Sequence, residues 1–441
     1  MSILDRVRSV LDGVTPFWKE SLVYLGGNLV NAALPVALMP ILTRYLSPTD
    51  YGIVGTSAVL VQFLSVAMSL NSSGLIVTSQ FEEKRENQRK LVSTNLLLAF
   101  AFATLLGLWA LGAGHLVERA TEFPAAWSPA VVLLALTSVI QATYLCLLQA
   151  RKETTRYVSL QVLSTGLNLG LSLTLVAALG MNWQGRILAM LVAGMVIAGI
   201  CLHGLVSRLK VLGLTFGRDS LKTLLTFGMP LIPHLLGGWV MTMAPRLFLN
   251  RLATVADTGL FSVAFSLASP IAMIAGAANQ AYMPALFEML SRPESLDKFR
   301  LSRMLLLGAA GLLAMAVVYG LTIRLLLPLI VGPRFYASAD YVLWLSLAFA
   351  VQGVYFIFGN FVVYARRTSL LAWRADFLAG LATLVLLPLL IRLNGPIGAA
   401  QVTFIAFTIS CLGGFTASRK AFSMPWAQAA RSFAELRTNS V

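Results

Sequence analysis

Charged residues are scarce in this chain. Asp, Glu, Lys and Arg make up 12% of its 441 residues, whereas hydrophobic residues make up 58%. Soluble domains have roughly 25% charged residues. With a mean hydropathy of +0.79, the chain has more apolar surface than a water-soluble core can hide. The composition therefore excludes an ordinary soluble protein and predicts an integral membrane protein.

Cysteine and histidine are also rare. Cys146, Cys201 and Cys411 all lie in apolar runs, which excludes a disulfide framework and a zinc site with regular spacing. The three histidines lie far apart in the sequence. No Gly-rich phosphate loop, HExxH or GxSxG motif occurs. We therefore expect no catalytic site, no bound metal and no cofactor.

What the chain has in abundance is long hydrophobic runs. A membrane-spanning helix needs about 20 mostly apolar residues. Twelve runs meet this requirement, which predicts an all-α membrane protein with an even number of spans. Their approximate bounds are 21–44, 51–75, 91–114, 129–150, 157–180, 187–208, 223–250, 257–284, 303–328, 339–364, 370–392 and 397–417.

The basic residues indicate which way the spans run. With twelve spans, 25 of the 33 Lys and Arg residues fall on the side of the two termini, and 8 fall on or near the other side. Positive residues favour the cytoplasmic side of short loops. This places both termini in the cytoplasm and accounts for the net charge of +15 without a nucleic-acid partner.

A motif of the form Arg-x-x-[Ser/Thr]-x-x-Asp-x-Gly occurs twice, starting at Arg44 and, 207 residues later, at Arg251. The Ala-Arg-Lys at the end of span four pairs in the same way with the Ala-Arg-Arg at the end of span ten, starting at Ala150 and Ala365. Repeated halves with an even number of spans share one orientation. We therefore predict two parallel-repeat six-helix bundles around a central cavity.

The repeat also divides the chain. The predicted regions are an amphipathic cytoplasmic surface helix at 1–20, a first bundle at 21–208, a cytoplasmic linker at 209–222, a second bundle at 223–417 and a cytoplasmic tail at 418–441. Within the motif, the hydroxyl and the acid three residues later have the spacing of a capping box. Ser47 with Asp50, and Thr254 with Asp257, are predicted helix caps.

Broken helices at equivalent positions point to a substrate path. Span seven contains three prolines and the pair Gly237-Gly238, and span one contains Gly26-Gly27 and two prolines. Static kinks are the alternative. Arg246 lies inside span seven, where it could bind an anionic headgroup or extend to the membrane surface.

Several uncharged polar residues lie in the spans and suit sugar or phosphate oxygens; hydrogen bonds between helices are the alternative. These candidate substrate-binding residues are Asn28, Asn31, Asn279, Gln280 and Tyr282. Asp376 is the one carboxylate well inside a span, and is a candidate site for proton or sodium coupling. A contact with a nearby basic group is the alternative for Asp376.

Three stretches resemble the polysaccharide-biosynthesis flippases, which include the O-antigen and capsular repeat-unit translocases of the multidrug/oligosaccharidyl-lipid/polysaccharide exporter superfamily. They are Leu42-Thr-Arg-Tyr-Leu-Ser-Pro-Thr-Asp-Tyr-Gly52, Phe227-Gly-Met-Pro-Leu-Ile-Pro-His234 and Asn279-Gln-Ala-Tyr-Met-Pro284. Relatives often place an acid before the arginine that Arg246 matches; this chain has Pro245, which leaves the charge of Arg246 freer for an anion.

The resemblance implies a function. It implies a flippase of the bacterial inner membrane that moves undecaprenyl-pyrophosphate-linked oligosaccharide repeat units to the periplasmic leaflet by alternating access, for lipopolysaccharide or other surface polysaccharide. Membrane lipids, a polysaccharide polymerase and a chain-length regulator are the implied partners. The alternatives are a cation-coupled multidrug extruder of the same superfamily and a membrane polymerase or ligase that acts on lipid-linked sugars.

Overall fold

The computed structural model describes residues 38–82, 85–213, 215–229, 232–291, 297–367 and 369–438, and the regular elements within these ranges are all helices. The predicted surface helix at 1–20 lies outside the described residues, as do Asn28 and Asn31.

The first half of the chain contains seven described helices. The first is seen from residue 38 onward, and short turns separate the others. Their bounds are α1 (38–45), α2 (Pro48–Ser69), α3 (Ser73–Glu82), α4 (Arg85–Thr121), α5 (Ser128–Ala150), α6 (Thr154–Ala178) and α7 (Trp183–Arg208).

The second half contains eight described helices, of which the first and last are short. Their bounds are α8 (Arg218–Gly228), α9 (Ile232–Leu252), α10 (Val255–Ser291), α11 (Lys298–Ile330), α12 (Ala339–Tyr364), α13 (369–394), α14 (Gly398–Ala421) and α15 (Trp426–Thr438).

Length and hydropathy fit membrane helices. Within the described ranges, nine continuous helical stretches are long and apolar enough to cross a bilayer. One of the nine, Ala375–Ala421, contains most of α13 and all of α14, which are separated by a single turn of 3-10 helix. Helix α9 falls outside the nine because its prolines, glycines and arginines lower its hydropathy. The all-α membrane fold is thus confirmed, and the count of twelve spans stays a prediction.

The chain divides into two compact units. The first comprises residues 1–46 and 56–230. Helix α5 lies at its centre and packs against α3, α4, α6 and α7. The shared core includes Val92, Leu96, Ile140, Leu147 and Ile197, each at most 2% exposed. Apolar side chains on several faces of α5 account for its central position.

The predicted linker at 209–222 has a different structure. Residues 209–213 and 215–217 are not helical, and they lie along α4, where the Gly213 and Gly217 N–H groups donate to Ser93 Oγ and Thr94 Oγ1 at 2.9 and 3.0 Å. Helix α8 then buries Leu224 and packs against α4. The second bundle therefore begins with α9 rather than at residue 223, because α8 packs with the first unit.

The second unit comprises residues 47–55 and 231–441. Helix α12 is central and packs against α10, α11 and α14, while α9 packs against α10, α13 and α14. The predicted tail from residue 418 also differs, because α14 continues to Ala421. Trp426 of α15 is 6% exposed and stacks edge-to-face on Phe358 and Phe361 of α12, so the tail helix is anchored in this unit.

Helices α2 and α10 start in the same way. The Ser47 N–H donates to Asp50 Oδ2 at 2.9 Å, and the Asp50 N–H donates back to Ser47 Oγ at 3.1 Å. In the second motif the Thr254 N–H donates to Asp257 Oδ2, and the Asp257 N–H donates back to Thr254 Oγ1, at 3.1 Å each. Each motif therefore forms a capping box, which satisfies N–H groups that the helix itself leaves unpaired.

Helices α5 and α12 end in the same way. Lys152 and Arg366 both have φ of +56°, and their N–H groups bond to the carbonyls three residues earlier. The residues that correspond are thus Lys152 and Arg366, 214 positions apart, rather than Arg151 and Arg366. The sequence pairing was wrong by one residue because it matched side-chain type, whereas the left-handed backbone position defines the end of the helix.

The last residue of each motif has a separate role. A Cβ atom on Gly52 would lie 1.9 Å from the carbonyl oxygen of Val255, and a Cβ atom on Gly259 would lie 1.9 Å from that of Pro48. Val255 and Pro48 are equivalent positions of the repeat. The first turns of α2 and α10 therefore cross backbone to backbone, and only glycine fits at either contact.

Candidate functional site

Arg246 lies on α9 and is only 7% exposed. Its guanidinium carbon lies 4.4 Å from the ring centre of Phe265 and 5.5 Å from that of Phe261, both on α10. Nε donates to Ser262 Oγ at 3.2 Å. The charge thus lies over two neighbouring aromatic rings, an arrangement that stabilises a cation where water is scarce.

The backbone around Arg246 is also unusual. Pro245 has no N–H, so α9 lacks one helical hydrogen bond next to the arginine. The Nη1 group of Arg246 donates to the carbonyl oxygen of Thr242 at 3.0 Å and contacts the sulfur of Met243 at 3.4 Å. Among the described residues, Nη2 makes no hydrogen bond and no carboxylate pairs with the guanidinium. Two N–H donors therefore stay available.

Asn279 and Tyr282 line a groove of about 420 Å³ between α10, α11 and α12. Asn279 Oδ1 accepts a hydrogen bond from Asn360 Nδ2 at 2.8 Å, and Asn360 is 5% exposed. The Tyr282 hydroxyl is buried and has no hydrogen-bond partner in the described part of the chain. Gln280 is exposed and does not line the groove. Most other lining residues are apolar.

The sequence-predicted residues do not form one site in the second unit. Arg246 contacts Phe265, whereas Asn279 lies fourteen residues further along α10. At 1.5 Å per residue the separation is about 21 Å. Arg246 thus lies near one end of α10, and the amide pair of Asn279 and Asn360 lies toward the other.

Asp376 is 4% exposed and lies in a π-helical segment of α13, Ala372–Phe377. Its Oδ1 accepts from Ser410 Oγ at 3.0 Å, and its Oδ2 accepts from the Tyr355 hydroxyl at 3.3 Å. Single π-turns inside α-helices often mark functional positions. The carboxylate is thus buried and hydrogen-bonded to α12 and α14.

Gly237 brings α9 close to this carboxylate. A Cβ atom there would lie 2.5 Å from the carbonyl oxygen of Asp376, whereas a Cβ atom on Gly238 would contact nothing within 4 Å. Within the described residues α9 is helical from Ile232 to Leu252, and Gly237 permits its close packing contact with α13. A substrate path along span seven stays a prediction.

Sequence reasoning missed a polar pocket in the first unit. It has a volume of about 250 Å³ and lies between α5, α6 and α7. Its polar lining residues are Gln141, Gln161, Ser164, Thr165, Asn168 and Arg186. The available signal was the helical spacing of Gln161, Thr165, Asn168 and Ser172 within an otherwise apolar span.

Comparisons of the chain with known proteins identify its family. The family profile described as "Polysaccharide biosynthesis protein" matches residues 17–290. An Lsg locus protein of Haemophilus influenzae is 22% identical over 365 residues, which cover 80% of this chain and 86% of the relative. A membrane protein of the same organism is 23% identical over 380 residues, which cover 84% of this chain and 88% of that relative.

Solved structures share the fold. An inward-facing multidrug resistance MATE family transporter of the MOP superfamily matches with a TM-score of 0.64 and 16% identity, covering 90% of this chain and 97% of that one. The MATE multidrug transporter DinF-BH in complex with R6G matches with a TM-score of 0.62 and 15% identity, covering 91% and 95%. At these identities the likeness shows the fold, and the two repeated halves predicted from the sequence are confirmed.

Proposed function

The chain belongs to the polysaccharide biosynthesis protein family, and from this premise we propose that it is a flippase for lipid-linked oligosaccharides. It is a multi-pass membrane protein with a transporter fold. The proposed substrate is an undecaprenyl-pyrophosphate-linked repeat unit, which moves from the cytoplasmic to the periplasmic leaflet of the inner membrane by alternating access. The product would serve the synthesis of surface polysaccharide such as O-antigen.

One observation carries this proposal: a polysaccharide biosynthesis family match coincides with a transporter fold. Sugars and pyrophosphate cannot cross hydrocarbon unaided because their polar groups would lose their hydration. A transporter supplies a polar path for the head of such a molecule while the polyprenyl tail stays in lipid. A substrate of this kind therefore needs a carrier rather than an enzyme.

The environment of Arg246 supports an anionic substrate. Its guanidinium is buried among Phe261, Phe265 and Ser262, and its Nη2 group keeps two donors available within the described residues. Arginine binds phosphate oxygens well because its donors have a fixed planar geometry. We propose that Arg246 binds the pyrophosphate during transport, once movement of α9 or α10 opens the aromatic contact.

The membrane potential favours this direction of transport. Outward movement of one negative charge across an inside-negative membrane releases about 2.3 kcal/mol per 100 mV. Asp376 is the proposed coupling residue if a proton or a sodium ion adds to this driving force. Its hydrogen bonds to Ser410 and Tyr355 would then change when the carboxylate gains or loses the cation.

The proposal is tested by the side of the membrane on which substrate accumulates. A strain that lacks the chain should hold lipid-linked repeat units that a membrane-impermeant glycosidase cleaves only after the inner membrane is permeabilised. Reintroduction of the wild-type chain should remove this pool.

A second experiment tests ion coupling. In inverted vesicles, translocation by the wild-type chain should respond to a proton or sodium gradient, whereas translocation by Asp376→Asn should not.

Two other outcomes would overturn the proposal. Repeat units that the glycosidase cleaves in intact spheroplasts would show that flipping still occurs, and would indicate a polymerase or ligase that acts afterwards. Normal surface polysaccharide together with increased drug sensitivity would indicate a multidrug extruder. The polymerase and the chain-length regulator expected as partners can be sought in the same strain by cross-linking.

A further inference from the structure

Helix α6 has a row of polar side chains on one face. Gln161, Thr165, Asn168 and Ser172 follow one another at intervals of four, three and four residues. This spacing keeps side chains on the same side of a helix. The row is about 16 Å long at 1.5 Å per residue. Since α6 is one of the stretches apolar enough to cross a bilayer, such a row avoids contact with lipid.

Arg186 brings a positive charge to this row. It lies in the first turn of α7, and its Nη1 group donates hydrogen bonds to both Asn168 Oδ1 and Ser172 Oγ. Asn168 lies about 15 Å before the end of α6, so the guanidinium reaches well inside the bundle. A charge at such depth is unfavourable unless it faces water or a polar partner.

The amides of the pocket complement this charge. Gln141 on α5 donates from Nε2 to Ser164 Oγ at 3.3 Å, and Gln161 donates from Nε2 to the Tyr157 hydroxyl at 3.4 Å. Neither glutamine carbonyl oxygen accepts a hydrogen bond from the described residues. Both side chains are partly exposed and line the pocket, so both oxygens can accept from hydroxyl groups.

The size and chemistry of the pocket define its ligand. Its volume of about 250 Å³ lies just below the range of roughly 300–1,000 Å³ for small-molecule sites. That space suits a single sugar ring rather than an oligosaccharide. Among the described residues that line it, none is acidic and Arg186 is the one charged residue. The lining can therefore accept hydrogen bonds from the hydroxyl groups of a ligand and can bind one negative charge.

We propose that this pocket is a subsite for one acidic sugar residue of the substrate, with Arg186 bound to its anion and Gln141 and Gln161 bound to its hydroxyl groups. The anion is either a carboxylate, as in a uronic acid, or a phosphate on the sugar. The proposal rests on the proposed function in that the substrate contains a saccharide. The pocket residues belong to the first unit, whereas Arg246 belongs to the second.

Binding of simple probes to the purified full-length chain tests this proposal. Glucuronic acid, glucose 1-phosphate and glucose are titrated while thermal unfolding is followed, since a ligand that binds the folded state raises the midpoint. We expect a saturable rise with one of the two acidic probes and little with glucose. The acidic probe that acts identifies the source of the negative charge.

Three variants make the test specific. Arg186→Gln should weaken binding of the acidic probe by about tenfold or more, since hydrogen bonds to charged groups contribute roughly 1.5–3 kcal/mol. Gln161→Met keeps the length of the side chain and should also weaken binding of the acidic probe. It therefore tests the pocket even if Arg186→Gln does not fold. Arg392→Gln changes an exposed arginine of the second unit and should bind like the wild type.

Two results would overturn the subsite: no midpoint shift with either acidic probe, or the same apparent affinity in the wild type, Arg186→Gln and Gln161→Met. The binding test does not depend on transport. A positive binding result with repeat units exposed to the periplasm in the deletion strain would retain the subsite and reject the flippase. A negative binding result with repeat units confined to the cytoplasmic leaflet would reject the subsite and retain the flippase.

Discussion

At the scale of single residues, the structure adds to what the sequence predicts for Arg246. The sequence indicates that Pro245 leaves the charge without an adjacent acid. The structure shows what takes its place, namely the faces of Phe261 and Phe265 and the hydroxyl of Ser262. These contacts join two helices, α9 and α10, and no local sequence pattern marks them. The sequence could therefore locate the arginine but could not predict which side chains surround it.

Replacement of Arg246 separates a role in transport from a role in packing. Arg246→Met keeps much of the side-chain volume that packs against Phe261 and Phe265 and removes the charge. We expect this variant to abolish surface polysaccharide while its amount in the membrane stays normal, because the anion loses its partner. Arg246→Lys should restore part of the activity, since lysine binds phosphate as a point charge. Polysaccharide on gels and protein on immunoblots are the measurements.

The matched control is Arg324→Ala. Arg324 is exposed on α11 and pairs with Asp340 at 3.2 Å, and exposed ion pairs contribute about 0–1 kcal/mol. It should leave polysaccharide and protein level unchanged. Full activity of Arg246→Met would show that the guanidinium only fills space, and would remove Arg246 from the proposed mechanism.

At the scale of helices, the repeated motif predicts where α2 and α10 begin but not how they meet. The capping residues are visible in the sequence because a cap depends on neighbours three positions away. The crossing at Gly52 and Gly259 depends on residues about 200 positions apart. The glycines of the motif therefore look like ordinary turn residues until the structure shows the backbone contact.

Gly259→Ala should destabilise this crossing. The new methyl group would lie 1.9 Å from the Pro48 carbonyl oxygen, which belongs to the backbone and cannot rotate away. Overpacking of this kind costs typically 1–3 kcal/mol, so we expect a lower thermal midpoint and a smaller yield of folded protein. Unfolding of the purified chain, followed by fluorescence-detected size exclusion after heating, measures both.

Gly276→Ala is the control in the same helix, because a Cβ atom there contacts nothing within 4 Å. Alanine is favoured over glycine in a helix by up to about 1 kcal/mol. This variant should therefore match or slightly exceed the wild-type midpoint. A Gly259→Ala variant as stable as Gly276→Ala would show that α2 and α10 do not approach each other this closely.

At the scale of the whole molecule, composition and the repeat were enough to predict an all-α membrane protein with two related halves. They could not predict the pocket on α6. Its polar residues are visible as a spaced row, but the sequence shows Arg186 only as one of the eight basic residues on or near the side opposite the termini. Its guanidinium reaches back to Asn168 and Ser172, a contact that depends on how α6 and α7 pack.

The basic end of the first unit brings together residues from four helices. Glu153 pairs with Arg156 at 2.9 Å and with Arg208, and Arg151 Nε donates to Gln80 Oε1 at 3.0 Å. Burial lowers the pKa of Arg151; Glu153 opposes this effect, and the nearby Arg85 and Arg208 add to it. Such a concentration of positive charge at one end of the unit agrees with an end that faces the cytoplasm.

Reporter fusions test this orientation and the parallel arrangement of the halves together. Alkaline phosphatase fused after Glu122, between α4 and α5, or after Gly332, between α11 and α12, should be active because the enzyme folds only in the periplasm. Fusions after Lys152 or Arg366, at the equivalent ends of α5 and α12, should be inactive, whereas green fluorescent protein at those two sites should fluoresce. Activity after Arg366 but not after Lys152 would show that the halves are inverted, and activity after both would reverse the orientation inferred from charge.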